Sequence, residues 1–288
     1  MDTKFLNSFV AVVESGSIAG AARRLNLAPT TITQQMKALE VDIGCELLMR
    51  VGRTVKPTVV GARIVEQARD ILRGVRDLRS AASDTALPAG PLLLGATPTA
   101  LMGLLPAILR RWMGAYPATQ IFIEPGTSAT LLQRVMSGQL DAAIIVHPSF
   151  PLDKTFAWQS LREEPLILLT PSEMKVHDPL HTASREHFIQ YDRNVVAGRM
   201  ADDYLRSHNI QPKVLFELDG IEHIAQLVAE GFGVSILPDW PVMGPPDTRT
   251  KRWRLPGPCP SREVGLIWLR QSARSPLARA LFELTSCP

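Results

Sequence analysis

Thr30, Thr31, Thr33, Gln34 and Lys37 follow Pro29 closely, and no carboxylate interrupts them until Glu40. Hydroxyls, an amide and a cation side by side can donate to phosphate oxygens and read base edges in a major groove. A carboxylate among them would repel the same polyanion. The spacing predicts a helix over residues 28–43, with Ile32, Met36, Leu39 and Ile43 inward and Thr30, Thr33, Gln34 and Lys37 outward. Pro29 stands where a helix's first turn tolerates proline. Arg50, Arg53 and Lys56 lie on residues 47–57, which read as two short strands around Gly52, the layout of a basic wing. The outward face alone would equally suit the solvated side of an ordinary three-helix surface; the wing tips the balance toward nucleic acid.

A second set of polar residues falls later, where predicted strands run out. Thr97 and Thr99 follow a short apolar strand at 92–95, Thr127 and Ser128 follow one at 120–124, and His147 follows 140–146. Arg193 and Asp219 come after the candidate strands 188–191 and 213–218. In open parallel sheets, ligands bind where strand C-terminal ends meet helix N-termini, because free backbone N–H groups collect there. Each residue also has a plainer role: threonine and serine cap helices, His147 suits a surface loop, and Arg193 is either a carboxylate clamp or an exposed cation.

These residues need elements to hold them. Phe5, Phe9, Val12 and Val13 give residues 5–14 one buried stripe, and Ser17 is placed to cap a short small-residue helix over 18–25. Asn26 and Leu27 form a tight corner before Pro29. Residues 59–82 lack proline, and Ile64, Ala68, Ile71, Val75, Leu78 and Ala82 recur at spacings of four and three among charged flanks. That is a two-helix dimer seam, or a helix packed on its own domain. Ser83 to Pro91, with Pro88 and Gly90, reads as a hinge. Strand and helix signals then alternate twice, implying two α/β lobes of parallel sheet with covered faces. One helix is expected over 101–116, and 240–260, rich in proline, as extended or turn-rich chain. A late strand at 263–269 and a helix at 276–284 should return to the first lobe.

Ser15-Gly16-Ser17, Ala21-Ala22-Arg23-Arg24-Leu25-Asn26, Leu39-Glu40, Gly44, Leu47-Leu48, Arg50, Gly52-Arg53 and Thr58-x-x-Gly61 stand in an order that resembles the winged helix-turn-helix of LysR-type transcriptional regulators. Leu104-Leu105-Pro106, Gly138-x-Leu140-Asp141 and the 228–238 stretch match motifs of that family's effector domain, so the resemblance runs through the whole chain. Leu48-Met49, Pro29-Thr30 and Thr33-Gln34 depart from its usual residues, and Gln34 stands where an arginine is commoner, so the resemblance carries the fold and not the base preference. The resemblance implies an α/β protein with an N-terminal winged helix-turn-helix (1–58), a long dimerisation helix (59–84) and a hinge (85–91). A two-lobed periplasmic-binding-protein-like effector domain (92–288) follows, with lobe one at about 92–162 and 263–288 and lobe two at about 163–262. Ser17, Pro29, Thr30, Thr31, Thr33, Gln34, Lys37, Arg50 and Arg53 are then the DNA-facing set. Thr97, Thr99, Thr127, Ser128, His147, Arg193 and Asp219 are the effector set, with Thr99 and Thr127 where relatives hold a carboxylate or polar head. Implied partners are double-stranded DNA, a small-molecule effector (a carboxylate among the options), RNA polymerase for an activator, and further copies as homodimer or homotetramer.

The charge agrees. Of a net +3, residues 1–90 carry 12 Lys+Arg against 9 Asp+Glu, while the remainder balances at 19 of each. The excess cations thus sit with the head, where a polyanion would bind. Cys45, Cys259 and Cys287 have no CxxC spacing, which points to a reducing compartment and leaves a redox role open. The histidines do not cluster at ligand spacing, so no metal or other cofactor is expected. With no export signal at the start and no apolar run of the ~18 residues a span needs, the expectation is a cytoplasmic protein without membrane contact. Neither GxGxxG nor GxSxG occurs, so catalysis is not expected. The competing readings are a solute-binding or enzymatic α/β protein carrying a DNA head, and an effector-independent DNA-binding protein.

Overall fold

The computed structural model describes residues 1–82, 87–241 and 248–285. Residues 83–86 of the expected hinge, Pro245, Pro246 and Cys287 lie outside them. The chain divides into two compact units. Met1–Gly90 supplies the body of the first, and Pro91–Val135 with Leu140–Gln271 that of the second.

The first unit begins with α1 (Thr3–Ser15), α2 (Ile18–Leu25) and α3 (Pro29–Ile43). Asp2 caps α1 by accepting from Lys4 N at 2.9 Å, and Gly16 ends it in the left-handed region (φ 63°). Ser17 caps α2 through Gly20 N at 3.0 Å, as its position predicts. Asn26 makes the corner at φ 53°, a conformation asparagine tolerates better than most residues. Phe9, Val12, Ala21, Ala22, Ile32, Met36, Leu39 and Leu47 form the core. Leu6 is also buried there, while Phe5 and Val13 pack only partly, so the α1 stripe is centred one residue away from the expected one.

The wing follows as β1 (Leu48–Val51) antiparallel to β2 (Thr54–Pro57). Glu40 on α3 accepts from Leu47 N at 2.8 Å and Leu48 N at 3.2 Å, which fixes the wing to that helix. Thr58 accepts from Gly61 N at 3.0 Å and donates to Glu46 O at 2.9 Å as α4 (Val59–Ala81) begins. A Cβ on Gly61 would lie 2.1 Å from Leu47 O, so only glycine permits this approach. Of the two readings of α4, packing on its own domain holds for the first half. Val65 and Ala68 are buried on the head's own core with Ile64 and Leu72 partly packed, and Arg69 pairs with Glu14 of α1 at 3.2 Å. Ile71 and Leu78 stay exposed. The first half of α4 therefore packs on its own head, because its apolar residues are spread wider than one narrow stripe, and the second half keeps an apolar edge free.

The second unit opens with β3 (Leu92–Ala96), α5 (Pro98–Gly103), α6 (Leu105–Ala115), β4 (Ile121–Pro125), α7 (Ser128–Met136) and β5 (Ala142–Val146). The single helix expected at 101–116 is two. Leu104 separates them, and Pro106, lacking an N–H, cannot continue the α5 ladder. The chain continues through β6 (Phe156–Pro171), α8 (Pro179–Arg185), β7 (His187–Tyr191), α9 (Val196–Ser207), β8 (Lys213–Leu218), α10 (Ile221–Ala229), β9 (Ser235–Pro238), β10 (Thr250–Arg254), β11 (Ser261–Leu269) and α11 (Ser275–Glu283). Neither α8 nor β10 is expected from the sequence; the first is short, and the second sits inside the proline-rich stretch.

The sheets are mixed rather than parallel. Strand β3 pairs parallel with β4 and β5, and β7 parallel with β8. Strand β11, however, is antiparallel to both β5 and β6, and β6 is antiparallel to β9 and β10. The reason is connectivity: β6 leaves the first lobe and β11 returns to it, so the two run side by side in opposite directions. Alternation along β6 covers both faces of the second lobe, with Leu166 and Leu168 in one core and Ile167 and Leu169 in another.

Candidate functional site

On α3 the expected outward residues are outward. Pro29, Thr30, Thr33, Gln34 and Lys37 are exposed, and Thr31 is half-buried. Thr33 donates its hydroxyl to Pro29 O at 3.0 Å, which orients its methyl and leaves the oxygen able to accept. Ser17 accepts from Gly20 N in the α2 cap, which leaves its O–H able to donate. Arg50, Arg53 and Lys56 are exposed on the wing, Arg50 Nε lying 3.4 Å from Gly52 O across the turn. A helix face of hydroxyls and amide beside a basic hairpin can contact base edges and backbone phosphates at once.

In the second unit, Thr97, just after β3, and Thr99, in the first turn of α5, are both buried. Thr99 Oγ1 lies 3.4 Å from Arg262 Nη2. Arg262, on β11, is itself buried and forks onto Glu164 of β6: Nε and Nη2 each lie 2.7 Å from Oε2. The other carboxylate oxygen is 3.8 Å from Arg162 Nε, and Arg162 donates to Asp239 O at 3.1 Å. Burial pushes the Glu164 carboxyl above its usual range against the pull of Arg262 and Arg162. Tyr191, at the end of β7, meets the same guanidinium. Burial is the main cause that pushes its phenol up to about 12, while Arg262 pulls down and the Asp219 and Glu222 carboxylates push up. Thr99 from the first lobe, the strands that cross between lobes, and Tyr191 from the second thus converge on Arg262.

The other expected residues are engaged locally. Thr127 accepts from Thr130 N at 3.3 Å, as a helix cap does, and Ser128 accepts from Val146 N at 3.1 Å. His147 Nδ1 lies 2.8 Å from Pro148 O, and its ring stands edge-on to Trp158. Arg193 is paired with Glu217 at 3.3 Å and Asp202 at 3.7 Å, and Asp219 accepts from Gly220 N at 2.7 Å. Sequence reasoning missed Glu164, Tyr191 and Arg262. The signal was present in Leu161-Arg162-Glu163-Glu164-Pro165 and Ser261-Arg262-Glu263-Val264, charges inside otherwise apolar strands that burial must pair.

The model of a bacterial regulatory helix-turn-helix protein, lysR family, matches residues 3–62, and that of the LysR substrate binding domain matches residues 85–286. The chain belongs to the LysR family. It is therefore a DNA-binding transcriptional regulator with an effector-binding domain, a class that works on DNA with small-molecule effectors and as oligomers. The activator IlvY of Salmonella typhimurium is 29% identical over 252 residues, covering 83% of each chain. A full-length, singly substituted OxyR from Pseudomonas aeruginosa matches in structure with a TM-score of 0.70 at 24% identity, over 99% of this chain and 94% of that one. Full-length CbnR complexed with target DNA gives 0.67 at 23% identity, over 99% of both chains. These two share the LysR fold with this chain. Among the described residues, no helix of this LysR-family chain is long and apolar enough to cross a membrane.

Proposed function

We propose that this regulator binds an interrupted inverted-repeat operator as a dimer or tetramer and responds to a small molecule held between its two lobes. The α3 face carries the first half of that reading: exposed Thr30, Thr33, Gln34 and Lys37 beside the cationic wing. Two such heads would place their α3 helices in successive major grooves, with Arg53 reaching phosphate or an adjacent minor groove. The CbnR complex with target DNA supports it by shared fold. For the second half, Thr97, Thr99, Arg262 and Tyr191 are the cleft residues, and Thr127, Ser128, His147, Arg193 and Asp219 support the surrounding loops. The domain division is 1–58, 59–84, 85–91 and 92–288, the compartment is the cytoplasm, and the chain performs no catalysis of its own. RNA polymerase is a partner where the regulator activates.

The test is titration of operator and random duplexes with the full chain over a salt series. Thr33→Ala and Gln34→Ala should weaken operator binding more than random binding, by about 1–3 kcal/mol each. Arg53→Ala should weaken both and lower the salt slope by about one. Equal losses on both duplexes for Gln34→Ala would take that side chain out of base readout.

A further inference from the structure

Charge pairing around the cleft bears on what the effector is, and it rests on the reading of that cleft as the effector site. Four arginines there already face an oxygen of the chain. Arg262 is held by Glu164, Arg162 by Asp239 O and Glu164, Arg252 by Asp239, and Arg193 by Glu217 and Asp202. Two oxygens are in the opposite condition. Thr97 Oγ1 and Glu222 Oε1 are buried and accept no hydrogen bond, and Thr97 as a whole is only 7% exposed. Gln190 Oε1 shares that state, but alternation along β7 turns it to the face opposite Tyr191. Thr97 stands just after β3, near Thr99 of α5, and Glu222 in the first turn of α10 acts on Tyr191 together with Asp219 and Arg262.

A carboxylate ligand that displaced Glu164 from Arg262 would strand a buried charge, and it would meet the Glu222 and Asp219 carboxylates around Tyr191 at the same time. Leaving one buried ion without its partner is strongly unfavourable. An ammonium brings three N–H donors to oxygens that accept no hydrogen bond, and a positive charge to the Glu222 carboxylate. We propose that the effector is a small cationic, donor-bearing molecule, an amine rather than a carboxylate, whose ammonium is taken by Glu222 beside Asp219 and Tyr191 while Thr97 accepts a second N–H or O–H.

The experiment is a thermal-shift series on the full chain at matched ionic strength. Ethanolamine and putrescine serve as cationic probes, acetate and succinate as anionic ones, and glycerol as a neutral one. Binding to the folded state raises Tm by mass action. The expected result is a rise with the amines, absent with acetate and succinate, lost in Glu222→Gln and reduced in Thr97→Val. Glu222→Asp, which keeps the charge, should retain part of the amine response, so a loss seen only in a misfolded Glu222→Gln is recognised. A rise with the carboxylates that Thr99→Val removes would overturn the amine assignment and leave the cleft reading standing. Amine shifts unchanged in Glu222→Gln would overturn the assignment to Glu222. No shift with any probe would overturn the amine proposal as well, and operator binding that still responds to a cell extract would then keep the effector reading separate from it.

Discussion

Arg262 and Glu164 form a pair whose worth depends on what replaces it. Each is buried, and two contacts of 2.7 Å bind them. Arg262→Met leaves the Glu164 carboxylate buried without its main partner and should cost about 3–5 kcal/mol in urea unfolding. Adding Glu164→Leu to that variant should recover most of the loss, because no uncompensated charge remains. A double variant as unstable as the single one would mean that Arg262 stabilises through packing. Tyr191 offers a pH reading. Its phenol titrates near pH 12 in the folded chain and near 10 when unfolded, so the stabilisation is complete below pH 10 and lost as pH rises toward 12. A shift of that size is worth about 3 kcal/mol. Tyr191→Phe should flatten the alkaline fall of the unfolding free energy in that window, and an unchanged slope would place the alkaline sensitivity elsewhere.

At the scale of elements, α4 has two halves with different tasks. Val65 and Ala68 are buried against α1 and the head core, while Ile71 is 42% exposed and Leu78 is 71% exposed. Val65→Asp should unfold the head, seen as loss of cooperative melting and of all DNA binding. Ile71→Asp should leave the head folded but break association of two chains, seen as a lighter species in sedimentation and loss of binding to a two-half-site operator. An Ile71→Asp variant that keeps its native oligomer and operator affinity would show that the exposed edge of α4 is not an interface. Gly61 belongs to the same junction: the 2.1 Å approach to Leu47 O ties the start of α4 to the wing, so the wing's position follows the helix.

For the whole molecule, the two-lobed domain matters only if a ligand binds one arrangement better than another. About 1.4 kcal/mol of preference shifts the ratio of two states tenfold. Thr99 is suited to report such a shift, since its hydroxyl lies 3.4 Å from Arg262 Nη2 and its shape is copied by valine. Thr99→Val should leave operator affinity intact in the absence of effector and abolish the transcriptional response to it. Transcription assays with and without inducer, with calorimetry on the same variant, check this. A variant that binds and responds like the wild type would reduce Thr99 to a buried structural hydroxyl.

The head was legible from sequence almost to the residue. Its signals are local: Ser17 three residues before Gly20 N, Asn26 at a left-handed corner, Pro29 in a first turn, and glycine at Gly52 and Gly61. Most strands and helices of the second unit were legible too, because alternation and helical spacing are short-range, but the short α8, the β10 strand and the break between α5 and α6 were not. The mixed pairing was not, since which neighbour β6 and β11 choose depends on partners about a hundred residues away in the chain, as Arg262 and Glu164 are. The same distance hid the convergence on Arg262. Thr97 and Thr99 could be named from their place after a strand, but a guanidinium already neutralised by Glu164 looks identical in sequence to a free one. Only tertiary packing decides which charges lose their water and which oxygens, like Glu222 Oε1, are buried without a donor.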